Sequence, residues 1–181
     1  MKLQPTALPE VIVIEPQVFG DERGFFLESW NAARFAKLGL DLDFVQDNHS
    51  HSARGVLRGV HYQLRRAQGK LVRVTAGRVF DVAVDLRRSS PNFGRWAGLE
   101  LSAVNKRMLW IPPGFGHAFL TLEDGTDFLY KCTEFYARED EHCIAWNDPA
   151  IGIGWPLGSE EIILSDKDRD GLLLSEASCY P

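Results

Sequence analysis

The sequence predicts an all-β fold, on three observations. Short apolar runs rich in β-branched and aromatic residues recur along the 181 residues, turn residues such as Ser90-Pro91-Asn92 separate them, and little of the chain has helical periodicity. A chain of this length forms one domain with a substantial core, so we expect a single domain over residues 1–181. Many short strands leave edges that must be protected, which favours a closed barrel or a double-sheet jelly roll.

Nine segments are predicted to be strands, because apolar and β-branched residues dominate each of them. In chain order they are EVIVIE (10–15), GVLRGVHYQL (55–64), KLVRVTAG (70–77), RVFDVAVDLR (78–87), WAGLELSA (96–103), KRMLWIP (106–112), HAFLTLE (117–123), TDFLYKCTEFY (126–136) and CIAWND (143–148). In the fourth segment Asp81 and Asp85 share one face and apolar residues fill the other, so we expect a half-buried strand.

Helical periodicity is confined to two places. Residues 27–40 (LESWNAARFAKLGL) are predicted to form a short surface helix, with Trp30, Phe35 and Leu38 near helical spacing and Gly39 at its end. Residues 159–174 (SEEIILSDKDRDGLLL) are predicted to contain a second short helix, although their density of Asp and Lys is also typical of a loop.

Composition excludes several classes of function. The net charge of −5 argues against general affinity for nucleic acid, which requires clustered Lys and Arg. No apolar run approaches the roughly 20 residues that span a bilayer, so we expect no membrane contact. The apolar patch Val11–Ile14 is too short for a secretory signal, and we expect a cytoplasmic protein. The three cysteines lack CxxC spacing, as is typical of reduced, structural thiols.

Four polar residues lie in or beside the apolar segments: His61, Lys70, His117 and Tyr130. A barrel or jelly roll encloses a cavity, in which a polar side chain is costly unless it is hydrogen-bonded or used. Together the four supply a base, a cation, a second imidazole and a phenol, which suit proton transfer beside a ketone with stabilisation of the enolate. Taken singly, each is more often a packing residue or a solvated strand end.

Metal binding is an alternative that the spacing disfavours. Jelly-roll domains often hold a metal through an HxH pair with a Glu and a later His, but His61 is followed by Tyr62 and Gln63. His49 and His51 do have HxH spacing, yet no Glu is well placed on the next strand. We therefore predict no metal and no cofactor.

Longer motifs cover nearly the whole chain. They are FGDERGFFLESWN, FVQDNHSHSARGVLRGVHYQ, QGKLVRVTAGRVFDVAVDLRRSSPNFGRW, WIPPGFGHAF, FLYKCTEFY, WNDPAIGIGWP and LSDKD. Together they resemble the dTDP-4-dehydrorhamnose 3,5-epimerases, the RmlC family, from about residue 8 to the C-terminus. The resemblance implies a metal-free, cofactor-free, homodimeric cupin-type jelly roll (a double-stranded β-helix) with a few short helices. Its substrate would be a dTDP-linked 4-keto-6-deoxy sugar, inverted at C3 and C5 to dTDP-4-keto-L-rhamnose.

The resemblance also implies roles for four catalytic residues. His61 matches the base that removes both protons, and Asp168 matches the carboxylate that orients its imidazole. Lys70 matches the residue at the enolate oxygen. Tyr130 matches the acid that returns a proton to the opposite face of the sugar, which inversion requires.

Substrate contacts follow in the same way. Gln46, Asn48 and Arg58 match positions between the nucleotide and the sugar, His117 one near the sugar, and Lys167 one near the substrate.

The nucleotide end of the site involves four further positions. Tyr136 and Glu141 match positions near the thymidine. Arg23 and Glu28 match positions that bind dTDP, and we expect them to reach into the site of the neighbouring subunit.

Strand alternation would place Arg58 and His61 on opposite faces, because they are three residues apart. Gly59 lies between them, and a bulge there would let both point inward.

Two other interpretations remain open. One is an epimerase acting at a single carbon, or a ketoisomerase of another deoxysugar pathway, since these share the fold and the His–Asp pair. The other is a noncatalytic module that binds sugar nucleotides, which the joint presence of base, carboxylate, lysine and tyrosine disfavours.

Overall fold

The structure is a computed structural model that describes all residues 1–181. Its strands are β1 Lys2–Pro5, β2 Ile12–Glu15, β3 Val18–Asp21, β4 Gly24–Leu27, β5 Gln46–Ser52, β6 Leu57–Gln63, β7 Lys70–Ala76, β8 Arg78–Asp85, β9 Trp96–Ser102, β10 Met108–Ile111, β11 Phe115–Thr121, β12 Thr126–Cys132 and β13 Glu141–Cys143. The helices are α1 Ala32–Lys37 and α2 Asp166–Arg169, with 3₁₀ turns at Arg138–Asp140 and Ser159–Glu161. No helix has the length and hydropathy needed to cross a membrane.

The strands form two antiparallel sheets that pack face to face. The six-stranded sheet has the order β1-β2-β10-β7-β12-β5, and the five-stranded sheet has the order β13-β6-β11-β8-β9. β3 and β4 form a separate hairpin. This arrangement confirms the all-β, jelly-roll fold class.

Three clusters of buried apolar residues hold the sheets in place. Between the sheets, Phe119 of β11 stacks on Phe128 of β12, with ring centroids 4.0 Å apart. The C-terminal segment, including Leu174 and Tyr180, covers the outer face of the five-stranded sheet. Phe35 of α1 packs against the outer face of the six-stranded sheet. The central strands of both sheets are therefore covered on two faces.

β8 shows the consequence of this double covering. The sequence predicts a half-buried strand, but every residue from Asp81 to Asp85 is buried. Ala83 lies in the core between the sheets, whereas Val82 and Val84 pack under the C-terminal segment. The prediction was wrong because alternation reports which way a side chain points and not what covers that side.

The other expectations are met in part. The predicted helix over residues 27–40 is shorter, because β4 extends to Leu27 and α1 starts after Asn31, whose Oδ1 accepts the Arg34 N–H at 3.1 Å. A short helix in the tail is confirmed as α2. The last predicted strand is displaced, since β13 ends at Cys143.

Four strands were not predicted: β1, β3, β4 and β5. β1 and the hairpin strands have only four residues each, too few for a period to be distinguished. β5, with the sequence QDNHSHS, has no apolar face, because the β5 side chains point alternately to a polar cavity and to solvent.

The predicted irregularity at Gly59 is confirmed. On β11, His117 pairs with His61 and Phe119 pairs with Arg58, so three steps along β6 oppose two steps along β11. Gly59 has φ of +124°, and a β-carbon there would lie 2.5 Å from both Ala118 Cβ and His117 O. Only glycine allows this approach, and the extra residue turns Arg58 and His61 to the same side.

Gly59→Ala should lower the free energy of unfolding by roughly 3 kcal/mol or more, because the added methyl overlaps Ala118 and alanine is strained at this φ. Denaturant unfolding measures the difference. Gly39→Ala is the matched control: its φ is also positive, +87°, but nothing lies within 4 Å of the added carbon. The control should cost only about 1–2 kcal/mol, and equal losses in both variants would contradict the steric explanation.

Candidate active site

A cavity of about 360 Å³ opens between the two sheets. Eleven of its fifteen lining residues are positions that the sequence singles out: Gln46, Asn48, Arg58, His61, Lys70, His117, Tyr130, Tyr136, Glu141, Lys167 and Asp168. The other four are Ser50, Gln68, Phe119 and Ser165. The volume suits a small ligand, and the lining is mostly polar.

His61 and Asp168 form the innermost polar pair. His61 lies on β6 just past the Gly59 bulge, and its Nε2 is 2.5 Å from Asp168 Oδ1. Asp168 lies in α2, where its Oδ2 accepts the hydroxyl of Ser165 at 2.6 Å and its Oδ1 accepts the Gly59 N–H at 3.2 Å. The side chains are 20% and 4% exposed, so the pair is largely removed from water.

The surroundings favour a neutral imidazole next to an ionised carboxylate. Burial lowers the pKa of His61, against the opposing effect of Asp168. Burial alone would raise the pKa of Asp168, but the hydrogen bonds from His61, Ser165 and Gly59 outweigh it and bring that pKa to about 2. Nε2–H therefore donates to Asp168, and Nδ1 carries the free lone pair.

Lys70 and Tyr130 reach the cavity from the six-stranded sheet, opposite His61. Lys70 begins β7 and is only 9% exposed, and this burial lowers the pKa of its ammonium. Tyr130 lies on the neighbouring strand β12, where burial raises the pKa of its phenol to about 12. The cavity thus holds an imidazole on one wall and a protonated phenol with a buried amine on the other.

His117 is held by a residue that the sequence analysis did not assign to the site. Its Nε2 lies 3.0 Å from Oδ2 of Asp81, whose carboxylate is fully buried in β8. The sequence signal for Asp81 is a carboxylate that shares a strand face with Val79 and Ala83, both of which are buried in the structure. Ser165 also has a signal, because Ser165 and Asp168 have the spacing of a helix capping box. Phe119 had none.

A hydrogen-bonded cluster surrounds the mouth of the cavity. Glu141 accepts from Lys167 Nζ at 2.8 Å and from the Tyr136 hydroxyl at 2.9 Å. The Tyr136 N–H donates to Gln46 Oε1 at 2.8 Å, and Gln46 Nε2 donates to Asn48 Oδ1 at 3.0 Å. These groups form a polar lip of the cavity, beside the His61–Asp168 pair.

Arg58 is an exposed cation in the cavity lining. Its guanidinium donates to Ser52 Oγ at 3.2 Å and 3.3 Å, a neutral partner that leaves its charge available to an anion. Arginine is well suited to bind a phosphate in this way.

Arg23 and Glu28 are not part of this cavity. Arg23, at the turn of the β3–β4 hairpin, forms an ion pair with Asp21 and is 85% exposed on its side chain. Glu28 accepts from Asn31 Nδ2 at 3.1 Å and lies 3.2 Å from Arg34. Within one chain, the structure therefore does not bring these two positions together with the other eleven.

A family model described as dTDP-4-dehydrorhamnose 3,5-epimerase matches residues 5–176. The chain is 59% identical to the Pseudomonas aeruginosa dTDP-4-dehydrorhamnose 3,5-epimerase, over 100% of both proteins. The chain belongs to the dTDP-4-dehydrorhamnose 3,5-epimerase family.

A solved structure and a more distant relative extend the comparison. The Legionella pneumophila dTDP-6-deoxy-D-glucose-3,5-epimerase, in complex with dTDP-4-keto-L-rhamnose, matches with a TM-score of 0.95 and 51% identity, over 98% of this chain and 94% of that one. The Streptomyces niveus dTDP-4-dehydrorhamnose 3-epimerase is 39% identical, over 98% of this chain and 86% of its own.

Side chains that can bind metals lie close together in two places, and at only one of them do three ligand atoms come within 4.8 Å of one another. His49 and His51, the HxH pair of the sequence, lie on the solvent side of β5 and both contact Asp127 Oδ1, at 3.0 Å and 2.8 Å. Beside the cavity, donor atoms of His61, Cys143 and Asp168 lie within 4.8 Å of one another.

Ser165→Ala should raise the pKa of Asp168 above about 2, because one hydrogen bond to its carboxylate is lost. It should also lower the free energy of unfolding by about 1 kcal/mol, because Ser165 caps α2. An NMR titration of the Asp168 carboxyl carbon and denaturant unfolding measure the two effects. Asn31→Ala, which removes the cap of α1, should destabilise similarly without moving this pKa. An unmoved pKa in Ser165→Ala would refute the contribution of that bond.

Proposed function

We propose that the protein inverts C3 and C5 of dTDP-4-dehydro-6-deoxy-D-glucose to give dTDP-4-dehydro-L-rhamnose, the precursor of dTDP-L-rhamnose. One observation supports this most strongly. Two groups suited to proton transfer enter one cavity from opposite sheets, the imidazole of His61 from β6 and the phenol of Tyr130 from β12. A sugar bound between them presents one face to each.

His61 is the base in this proposal. The 4-ketone acidifies the hydrogens on C3 and C5, since loss of either proton gives an enolate conjugated with the carbonyl. Nδ1 of His61 accepts the proton, while Nε2–H remains bonded to Asp168, 2.5 Å away. The ionised carboxylate of Asp168 holds the imidazole in this tautomer and stabilises the imidazolium that forms.

Lys70 stabilises the negative charge on O4. It lies on the opposite wall from His61 and is buried, so its charge-assisted hydrogen bond to the enolate oxygen acts in a region of low dielectric. Burial lowers the pKa of Lys70, so its ammonium more readily shares a proton with the developing oxyanion.

Tyr130 returns a proton on the other face. Its pKa of about 12 keeps the phenol protonated at neutral pH, so the phenol is available as an acid. Removal by His61 and return by Tyr130 invert the carbon, whereas removal and return by one group would restore the starting configuration. After each inversion, the imidazolium must lose a proton and the phenolate must gain one before the next.

The dTDP portion lies toward the polar lip. Arg58 binds the diphosphate with support from Gln46 and Asn48, while His117 contacts the sugar. Tyr136, which is 49% exposed, stacks near the thymidine beside Glu141, and Lys167 contacts the substrate from α2.

In a homodimer, Arg23 and Glu28 of each subunit would complete the nucleotide end of the other subunit's site. The β3–β4 hairpin exposes Phe19, Phe25 and Phe26 at 54%, 61% and 69%. Such a cluster is typical of a surface that packs against another chain. If the hairpin packs on a second copy, Arg23 would reach the nucleotide end of that copy's cavity. No hairpin residue lines the cavity of its own chain.

The protein should introduce solvent deuterium at both C3 and C5 of dTDP-4-keto-6-deoxy-D-glucose in D₂O, followed by NMR. His61→Asn should reduce exchange at both carbons by about 10²- to 10⁴-fold, because the general base is lost. Label at one carbon only would instead indicate a single-carbon epimerase, and no label with retained binding would indicate a noncatalytic module. Wild-type exchange in His61→Asn would remove His61 from the mechanism.

Tyr130→Phe should separate proton removal from proton return, because it deletes the phenolic proton and keeps the ring. Deuterium should still enter the sugar from the His61 side, while formation of the L-rhamno product falls strongly. Phe128→Leu, on the same strand but absent from the cavity lining, is a control for changed packing and should leave the ratio of exchange to inversion unaltered. Product formation at the wild-type rate in Tyr130→Phe would assign the acid to another group.

Mixed dimers test whether Arg23 acts in the site of the neighbouring subunit. Arg23→Ala and His61→Asn, each of low activity alone, should regain about a quarter of wild-type activity when equal amounts are unfolded and refolded together, because half of the dimers then contain one intact site. Refolding each variant alone is the control. No recovery in the mixture, with dimers present by light scattering, would place Arg23 outside the partner's site.

A further inference from the structure

Cys143 lies beside the His61–Asp168 pair but has no part in the proposed proton transfer. It is the register partner of His61 across β13 and β6. One donor atom from each of His61, Cys143 and Asp168 lies within 4.8 Å of the other two. Its thiol donates a long hydrogen bond to Ile144 O at 3.6 Å. Imidazole, thiolate and carboxylate are three ligand types that Zn²⁺ binds in proteins.

We propose that His61, Cys143 and Asp168 form an inhibitory site for Zn²⁺ and divalent cations of similar coordination chemistry. That the cation inhibits rests on the proposed function of His61, whereas its binding does not. This site does not need the HxH pair that the sequence lacks at His61. Its sulfur ligand comes from another strand, β13.

The required movements are small. A tetrahedral Zn²⁺ with bonds of about 2.0–2.3 Å places its ligand atoms roughly 3.3–3.8 Å apart. His61 Nε2 and Asp168 Oδ1, now 2.5 Å apart, would separate by about 1 Å, and Cys143 Sγ would close in by a similar amount. Cys143 is half-buried at the end of β13, which is an edge strand of the five-stranded sheet. The fourth coordination position would be left for water.

The proton balance explains why binding would inhibit. The resting pair has a proton on Nε2, and Cys143 is a half-buried free thiol. When the cation bonds to Nε2, the imidazole proton moves to Nδ1, and the thiol releases one proton to solvent as the thiolate binds. His61 stays neutral overall, but Nδ1 no longer has a lone pair for the sugar.

The ligand set also predicts selectivity. Thiolate and imidazole favour Zn²⁺, Co²⁺ and Cd²⁺, whereas Mg²⁺ and Ca²⁺ prefer oxygen ligands. Mg²⁺ at equal concentration should therefore leave the rate unchanged. EDTA should have no effect on protein that has not been exposed to Zn²⁺, and it should restore activity after Zn²⁺ has been added.

The first test is Zn²⁺ inhibition of deuterium exchange in wild type, Cys143→Ser and Cys143→Ala. Both variants should keep substantial basal exchange and need at least about tenfold more Zn²⁺ for half inhibition, because the soft ligand is gone. Cys179→Ala, a half-buried thiol in the C-terminal cluster, is the matched control and should be inhibited like wild type. Undiminished inhibition in both Cys143 variants would overturn the proposal. Loss of inhibition in His49→Asn/His51→Asn instead would assign the effect to the surface pair.

The second test measures binding without catalysis. Co²⁺ added to wild type should produce a thiolate-to-cobalt charge-transfer band in the near ultraviolet. The band should persist in Cys179→Ala and be absent in Cys143→Ala, with circular dichroism confirming that the variant is folded. A band that survives in Cys143→Ala, or no band in wild type, would refute the site even if the protein proves to be a 3,5-epimerase. A band at Cys143 without inhibition would instead challenge the role of His61.

Discussion

Position 59 has no room for a side chain, because Ala118 Cβ and His117 O would lie 2.5 Å from a β-carbon there. This close approach of β6 to β11 absorbs one extra residue in β6 and turns Arg58 and His61 to the same side. It also aims the Gly59 N–H at Asp168 Oδ1, 3.2 Å away. One backbone irregularity therefore positions the guanidinium of Arg58, the imidazole of His61 and an N–H donor to the Asp168 carboxylate.

A polar cavity inside a β-sandwich has to be compensated, because each buried polar group without a partner is costly. Here the carboxylates in and beside the cavity face donors: Asp168 faces His61, Asp81 faces His117, and Glu141 faces Lys167 and Tyr136. Apolar packing on the outer faces of the sheets adds to the apolar core between them. The outer faces of the sheets are covered by the C-terminal segment and by α1, so the interior between the sheets can be given partly to polar side chains.

The same packing that keeps His61 neutral also places a third metal-binding group, the Cys143 thiol, beside it. Burial keeps His61 neutral, and its bond to Asp168 directs the lone pair to Nδ1. Antiparallel pairing of β13 with β6 also places the Cys143 thiol beside that pair. A site assembled to hold one proton between nitrogen and oxygen thus has the ligands to hold a metal ion instead, which is the physical basis of the proposed inhibition.

The sequence by itself determined the strand-rich fold and eight strand positions, because apolar runs and turn residues are local signals. It also predicted a bulge at Gly59, and its long motifs identified eleven residues of the cavity. Only the tertiary structure decided what covers each strand face and which side chains meet. β8 is buried on both faces because a segment some ninety residues later packs on it, and β5 looks polar because one side faces a cavity. Ser165 enters the cavity lining, and Asp81 and Cys143 come to lie beside it, through pairings between segments distant in sequence, whereas Arg23 lies outside it on a separate hairpin. Register between distant segments depends on contacts that no local pattern encodes.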